Sequence, residues 1–295
     1  MRSSNPVFSR RGFSRDNGYA GFNTAPQAGG NPYAQAPTNP HAANPYATNP
    51  YATNPYAQQD TQYGAPQAPA RGAVMTMDDV VSRTAITLGT VAIAAVLAWT
   101  LLPVSSGSYG LAVGSALVAF VLAMIQSFKA KPVPALIIGY AAFEGVFLGV
   151  ISEMYNERWS GAPFQAVLGT LAVSGATLFA YKQRWVRVTA RYARIGMTIA
   201  IAFVLVTMVN LLVVAFGGAD GGGLRSFGPL GFAVGVLAIL IGCFFLTLDF
   251  KQIEDGITYG APREESWLAA FGLTMSLVWI YLEMLRLVAI LQGDD

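Results

Sequence analysis

Seven apolar runs, each about the length needed to cross a hydrocarbon layer, constrain this chain more than any other feature. Roughly 20 helical residues at ~1.5 Å rise cover the ~30 Å of a bilayer core. The runs fall near 84–103, 109–128, 134–154, 163–181, 195–216, 228–250 and 267–291. With no water in that layer to satisfy backbone groups, only helices or a closed barrel can cross it. These runs are too long and too continuously apolar for barrel strands. Composition agrees, with 54% hydrophobic and 12% charged residues, and the apolar ones arrive in blocks rather than stripes. The expected fold is an all-α membrane protein of seven transmembrane helices.

Lys and Arg set the expected orientation. With the amino end cytoplasmic, that side receives Arg71, Arg83, Lys129, Lys131, Lys182, Arg184, Arg187, Arg191, Arg194, Lys251 and Arg263, whereas the opposite loops hold Arg158 and Arg225. The carboxyl end then lies outside. The formal charge of +2 follows from this topology and gives no reason to expect a nucleic-acid partner. The single cysteine, Cys243, lies inside a span; it rules out an internal disulfide and reads as a packing residue.

Residues 1–70 have a different character. They are rich in Asn, Pro and Tyr, with NPYAT starting at Asn44 and Asn49 and NPYAQ at Asn54. Proline in every repeat breaks a helix, and without an aliphatic face no core forms, so a disordered cytoplasmic tail is expected ahead of a membrane domain over 71–295. Arg2, Arg10, Arg11 and Arg15 are placed to graze anionic headgroups, and the tyrosines to recruit a partner. Ser9-Arg10-Arg11-Gly12-Phe13 imitates a twin-arginine export signal, but Asp16, Asn17 and Gly18 stand where the apolar stretch belongs.

Carboxylates within spans cost roughly 2.5–3.5 kcal/mol on insertion scales, which makes them functional candidates by default. Glu144 lies in the third run, Asp249 in the sixth and Glu283 in the seventh, with Glu153 near an end. Gly231, Gly235, Ala238 and Gly242 form a small-residue face that leads to Asp249, and Ala269, Gly272 and Ser276 lead to Glu283. Ala141, Gly145 and Gly149 run beside Glu144. The acids therefore sit on or beside faces suited to close helix contact. Plainer roles are open for two of them: Asp249 snorkelling to water beside Lys251, and Glu283 pairing with Arg286 one turn on.

Enzyme chemistry and a resident cofactor are not expected. The one histidine, His41, is in the tail, which removes most zinc sites and histidine-assisted nucleophiles. The glycine-rich stretch 217–223 lacks the Lys-Ser or Lys-Thr of a phosphate-binding loop, and the final run has no lysine for a Schiff base.

Phe143-Glu144-Gly145-Val146-Phe147-Leu148-Gly149, Leu248-Asp249-Phe250 and Trp279-Ile280-Tyr281-Leu282-Glu283-Met284-Leu285, in this order, resemble the Bax inhibitor family, also called transmembrane Bax inhibitor motif proteins. The resemblance covers about Met77 to Leu291. It implies two groups of three helices around a central seventh. The expected location is a bacterial plasma membrane, with the amino terminus cytoplasmic. The resemblance also implies a pH-sensitive calcium leak in which acids on the sixth and seventh helices share hydrogen bonds; matched by motif, these are Asp249 and Glu283. Other members are linked to cell-death suppression or restraint of a membrane protease.

This chain departs from the family pattern in two ways. Glu283 stands where an aspartate is common. In addition, a turn near Gly260 to Pro262 leaves the two acids offset by roughly 12–15 Å along their helices. In that case Glu144 becomes the substitute partner for one of them. Where two carboxyl groups do meet away from water, one keeps a proton, and raising pH removes it. Their oxygens would then suit calcium, with the lipid bilayer as the permanent partner. Two rival expectations use the same chain: a membrane interaction protein that binds another membrane protein, and a proton-coupled small-solute carrier.

Overall fold

The computed structural model describes residues 73–102, 105–217 and 220–293; the repeat tail expected over 1–70 lies outside them. The helices are α1 (Met77–Leu101), α2 (Ser106–Phe128), α3 (Pro134–Arg158), α4 (Ala162–Lys182), α5 (Ala190–Ala215), α6 (Pro229–Thr258) and α7 (Glu265–Gln292). A short 3₁₀ turn, Asp220–Arg225, precedes α6. All seven α-helices are long and apolar enough to cross a membrane, as the seven runs require.

Two helices extend well past their apolar runs, for local reasons. Thr76 caps α1 by accepting a hydrogen bond from the Asp79 amide (3.2 Å), and Asp78 and Asp79 place negative charge in the first turn. At its far end α6 continues to Thr258 through a polar segment supported by Lys251 donating to Asp255, one turn on, at 2.7 Å.

The bundle is organised around α7. Helices α1, α3, α4 and α6 pack directly on it, α2 packs on α3, and α5 packs on α6. Two thirds (67%) of the apolar window of α7 is buried, against 11% for α5, so the seventh helix is the core and the fifth faces lipid. This gives the groups α1–α3 and α4–α6 around a central seventh.

Small residues allow the close approaches. A Cβ on Gly145 would lie 2.5 Å from the Val91 carbonyl oxygen, and one on Gly149 would strike the Ala95 carbonyl, so α1 and α3 touch backbone to backbone. Polar pairs then fix α7 laterally: Thr87 Oγ1 and Thr274 Oγ1 lie 2.9 Å apart towards α1, and Ser152 Oγ and Tyr281 Oη 2.6 Å apart towards α3. Such interhelical bonds contribute about 0.6 kcal/mol each, so they set register more than they set stability.

The turn between α6 and α7 is tied to the start of the described chain. Met75 N donates to Ala261 O and Arg263 N to Ala73 O, both at 2.8 Å, forming the bridge Val74–Pro262. Arg263 Nε reaches Asp79 Oδ1 at 2.7 Å, and Arg83 donates to the Arg263 carbonyl and to Ser266 Oγ. Met75, 3% exposed, plugs the cluster formed with Val80, Leu246 and Ile253.

Gly149→Val is expected to lower stability by about 1–3 kcal/mol through overpacking against α1, whereas Gly89→Ala, which meets nothing within 4 Å, is expected to be neutral. Thermal unfolding of the purified protein in detergent compares them.

Candidate functional site

The seam between α6 and α7 carries two polar stations on one face of α7. At the first, Ser276 Oγ donates to Asp249 Oδ2 at 2.6 Å. The other carboxyl oxygen lies over Gly272, where a Cβ would stand 2.8 Å from it. Glycine at 272 therefore makes the space the carboxyl group occupies. Lys251 does not serve Asp249: its ammonium is taken by Asp255, so the expected snorkelling beside Lys251 does not describe this carboxylate. Asp249 is partly buried.

At the second station Glu283, 5% exposed, accepts from two arginines. Arg225 Nη2 reaches Oε1 at 2.6 Å, and Arg286 Nη1 reaches Oε2 at 3.2 Å. Arg286 also donates to the Gly231 carbonyl at 3.0 Å, which ties the pair to the first turn of α6. The i,i+3 pairing read from the sequence is thus present, with a second arginine added from the 3₁₀ turn. Hydrogen-bonded on both oxygens, Glu283 is answered by more positive charge than it carries.

The two stations are separate. Ser276 and Glu283 are seven residues apart on α7, about 10 Å at helical rise. The level is set by the turn: α6 ends at Thr258, nine residues beyond Asp249, and α7 begins at Glu265, so the residues level with Asp249 are Gly272 and Ser276. Gly260, with φ +67, closes that turn in the left-handed region. The turn keeps the two acids at different levels of the seam, and Asp249 and Glu283 do not share a hydrogen bond. A single calcium ion, which binds oxygens at about 2.3–2.6 Å, does not bridge them in this arrangement. Among the described residues no group of three or more His, Cys, Asp or Glu side chains stands close enough to hold a metal ion.

Glu144 does not replace either partner. It is partly buried on α3, one turn beyond Tyr140, whose ring meets Phe271 of α7 edge-on at 5.1 Å. No hydrogen bond or ion pair reaches Glu144 from the described residues. Glu153, nearer the end of α3, has one buried carboxyl oxygen without a partner among the described residues.

Sequence reasoning missed two participants. Ser276 was visible as a member of a small-residue face but not as the donor for Asp249. Arg225 was visible as one of two cations on its side of the membrane, but its reach into the bundle depends on the 3₁₀ turn.

Seven spans, a central last helix and carboxyl groups enclosed along the seam between the last two helices define an integral membrane protein with acidic side chains inside its bundle. The family profile described as Bax inhibitor 1 like matches residues 5–293, and the chain belongs to that family. No individual curated protein matched the chain.

Glu283→Ala leaves Arg286, itself 7% exposed, without its counterion, and is expected to cost about 3–5 kcal/mol. Adding Arg286→Leu should recover much of that loss. A double-mutant cycle on thermal unfolding measures the coupling; additive losses would show that the pair is not energetically linked.

Proposed function

We propose that this protein is a pH-responsive cation leak, with calcium among the ions it passes, and that the path follows the α6–α7 seam. The amino end lies on the cytoplasmic side in this reading, in keeping with the Lys and Arg asymmetry. The observation that carries the proposal is the 2.6 Å hydrogen bond from Ser276 to Asp249, made across the seam by a carboxyl group of the sixth span.

Neutral Asp249 sits in the seam as a hydrogen-bonded polar group. Loss of its proton leaves a full charge there with one hydroxyl donor, and an uncompensated charge at this depth costs roughly 2.5–3.5 kcal/mol. Water or a hard cation relieves that cost by entering between the helices. Small residues such as Gly272 leave little side-chain bulk to displace. Proton and cation then compete for the same oxygens, so permeation rises with pH and falls with acidification. Ser276 replaces a second acid as the closing contact. The mechanism therefore works through solvation of one carboxylate rather than repulsion between two.

Glu283 has a different role in this scheme. Paired with Arg225 and Arg286, it holds the 3₁₀ turn against the opposite end of the seam. It is a gating residue through that latch, not through a proton shared with Asp249.

Calcium efflux from proteoliposomes, followed as pH is stepped, tests the reading. Asp249→Asn should give a flux nearly independent of pH, while Arg225→Gln should raise the flux and retain its pH profile. An unaltered profile in Asp249→Asn would reject the proposal.

A second reading, binding to another membrane protein, is favoured by the Ala73–Met75 strap, which fixes the start of the membrane domain on the α6–α7 turn. Deleting residues 1–70 is expected to reduce partner recovery in a pull-down and leave liposome flux intact. Loss of flux with no change in recovery would count against it.

A further inference from the structure

A cavity of about 520 Å³ opens where the α4–α5 connection meets the end of α6. Lys182 at the end of α4 and Arg184 and Arg187 on the connection line it, with Lys251 and Glu254 from α6. Its acid is already engaged, because Glu254 accepts from Tyr181 Oη, and Lys251 is engaged with Asp255. Lys182, Arg184 and Arg187 are exposed and make no ion pair among the described residues. Three unanswered cations thus converge on one concavity.

The backbone presents them in a fixed way. Arg184 adopts φ 58, the one left-handed non-glycine conformation among the described residues. Bonds from Arg184 N to Tyr181 O (2.9 Å) and from Trp185 N to Ala180 O (3.0 Å) close this turn. Trp185, 74% exposed and edge-on to Phe179 at 5.7 Å, stands where the apolar length of α4 ends. An amphipathic ring at that level marks headgroup depth. Beyond it α4 and α5 do not pack on each other; both rest on α6. Apolar side chains such as Leu178 and Ile195 remain exposed there to whatever fills the bilayer.

Charge, depth and the unfilled space between two spans fit one occupant. We infer that the cavity seats the phosphate of an anionic phospholipid, with its acyl chains lying against the separated α4 and α5. Lys129 and Lys131, at the same end of the bundle on the α2–α3 connection, supply an internal comparison: they carry like charge without lining the cavity.

The full chain in neutral detergent, titrated with phosphatidylglycerol and read by native mass spectrometry, tests this directly. Phosphatidylglycerol should bind at least about tenfold more tightly than phosphatidylcholine. The variant K182Q/R184Q/R187Q should lose affinity on the order of a hundredfold, at a few-fold per basic residue. K129Q/K131Q should stay within about twofold. Its melting temperature should match the wild type in the triple variant, since all three side chains are exposed. Equal binding of both lipids, or equal loss in both variants, would overturn the inference. So would displacement of the lipid by inorganic phosphate at comparable concentration, which would make the cavity a site for the free ion.

Discussion

Enclosure of the last helix is the condition on which the other features rest. A charged side chain facing acyl chains is costly, whereas one facing other helices can be hydrogen-bonded on every oxygen. With α1, α3, α4 and α6 all packed against α7, Glu283 and Arg286 are held among protein groups rather than lipid. The same enclosure lets Ser276 meet Asp249 away from lipid, and lets Tyr281 and Thr274 register α7 against its other neighbours. Peripheral α5 is tied to α6 by Tyr192 Oη and Thr247 Oγ1, 3.1 Å apart, and is otherwise apolar towards the outside.

Close approach makes the enclosure possible. Gly145 and Gly149 remove the side chains that would keep α1 from α3, and Gly272 removes the one that would collide with Asp249. Size, rather than conformational freedom, is what these glycines contribute. The result is a bundle in which polar atoms of neighbouring helices reach each other over one hydrogen bond, from short side chains such as Ser276 as well as long ones such as Arg286.

Much of this was legible in the residues, and the exceptions have physical causes. Hydropathy identified all seven spans because a lipid-crossing helix must be apolar over its whole length. The small-residue faces of α6 and α7 do meet neighbouring helices, and a turn near Gly260 keeps Asp249 from bonding to Glu283. What hydropathy could not reveal were the polar ends: the start of α1 depends on a Thr76 cap, and the end of α6 on the Lys251–Asp255 pair. Ser276 was missed as a partner because a hydroxyl is inconspicuous in a small-residue stripe, and only the level of the turn brings it beside Asp249. Arg225 was missed because its position depends on a 3₁₀ segment that runs through a glycine-rich stretch, where periodicity carries no signal.

The strap between Ala73–Met75 and the α6–α7 turn has a mechanical consequence. Two rods pinned together at one tip can part only by swinging about that tip, so displacement grows with distance from it. Asp249 lies nearer the pivot and Glu283 farther along the arms. A small angular change that barely stretches the inner contact must therefore pull hardest on the outer arginine grip, which makes that grip the natural place to resist or release the motion.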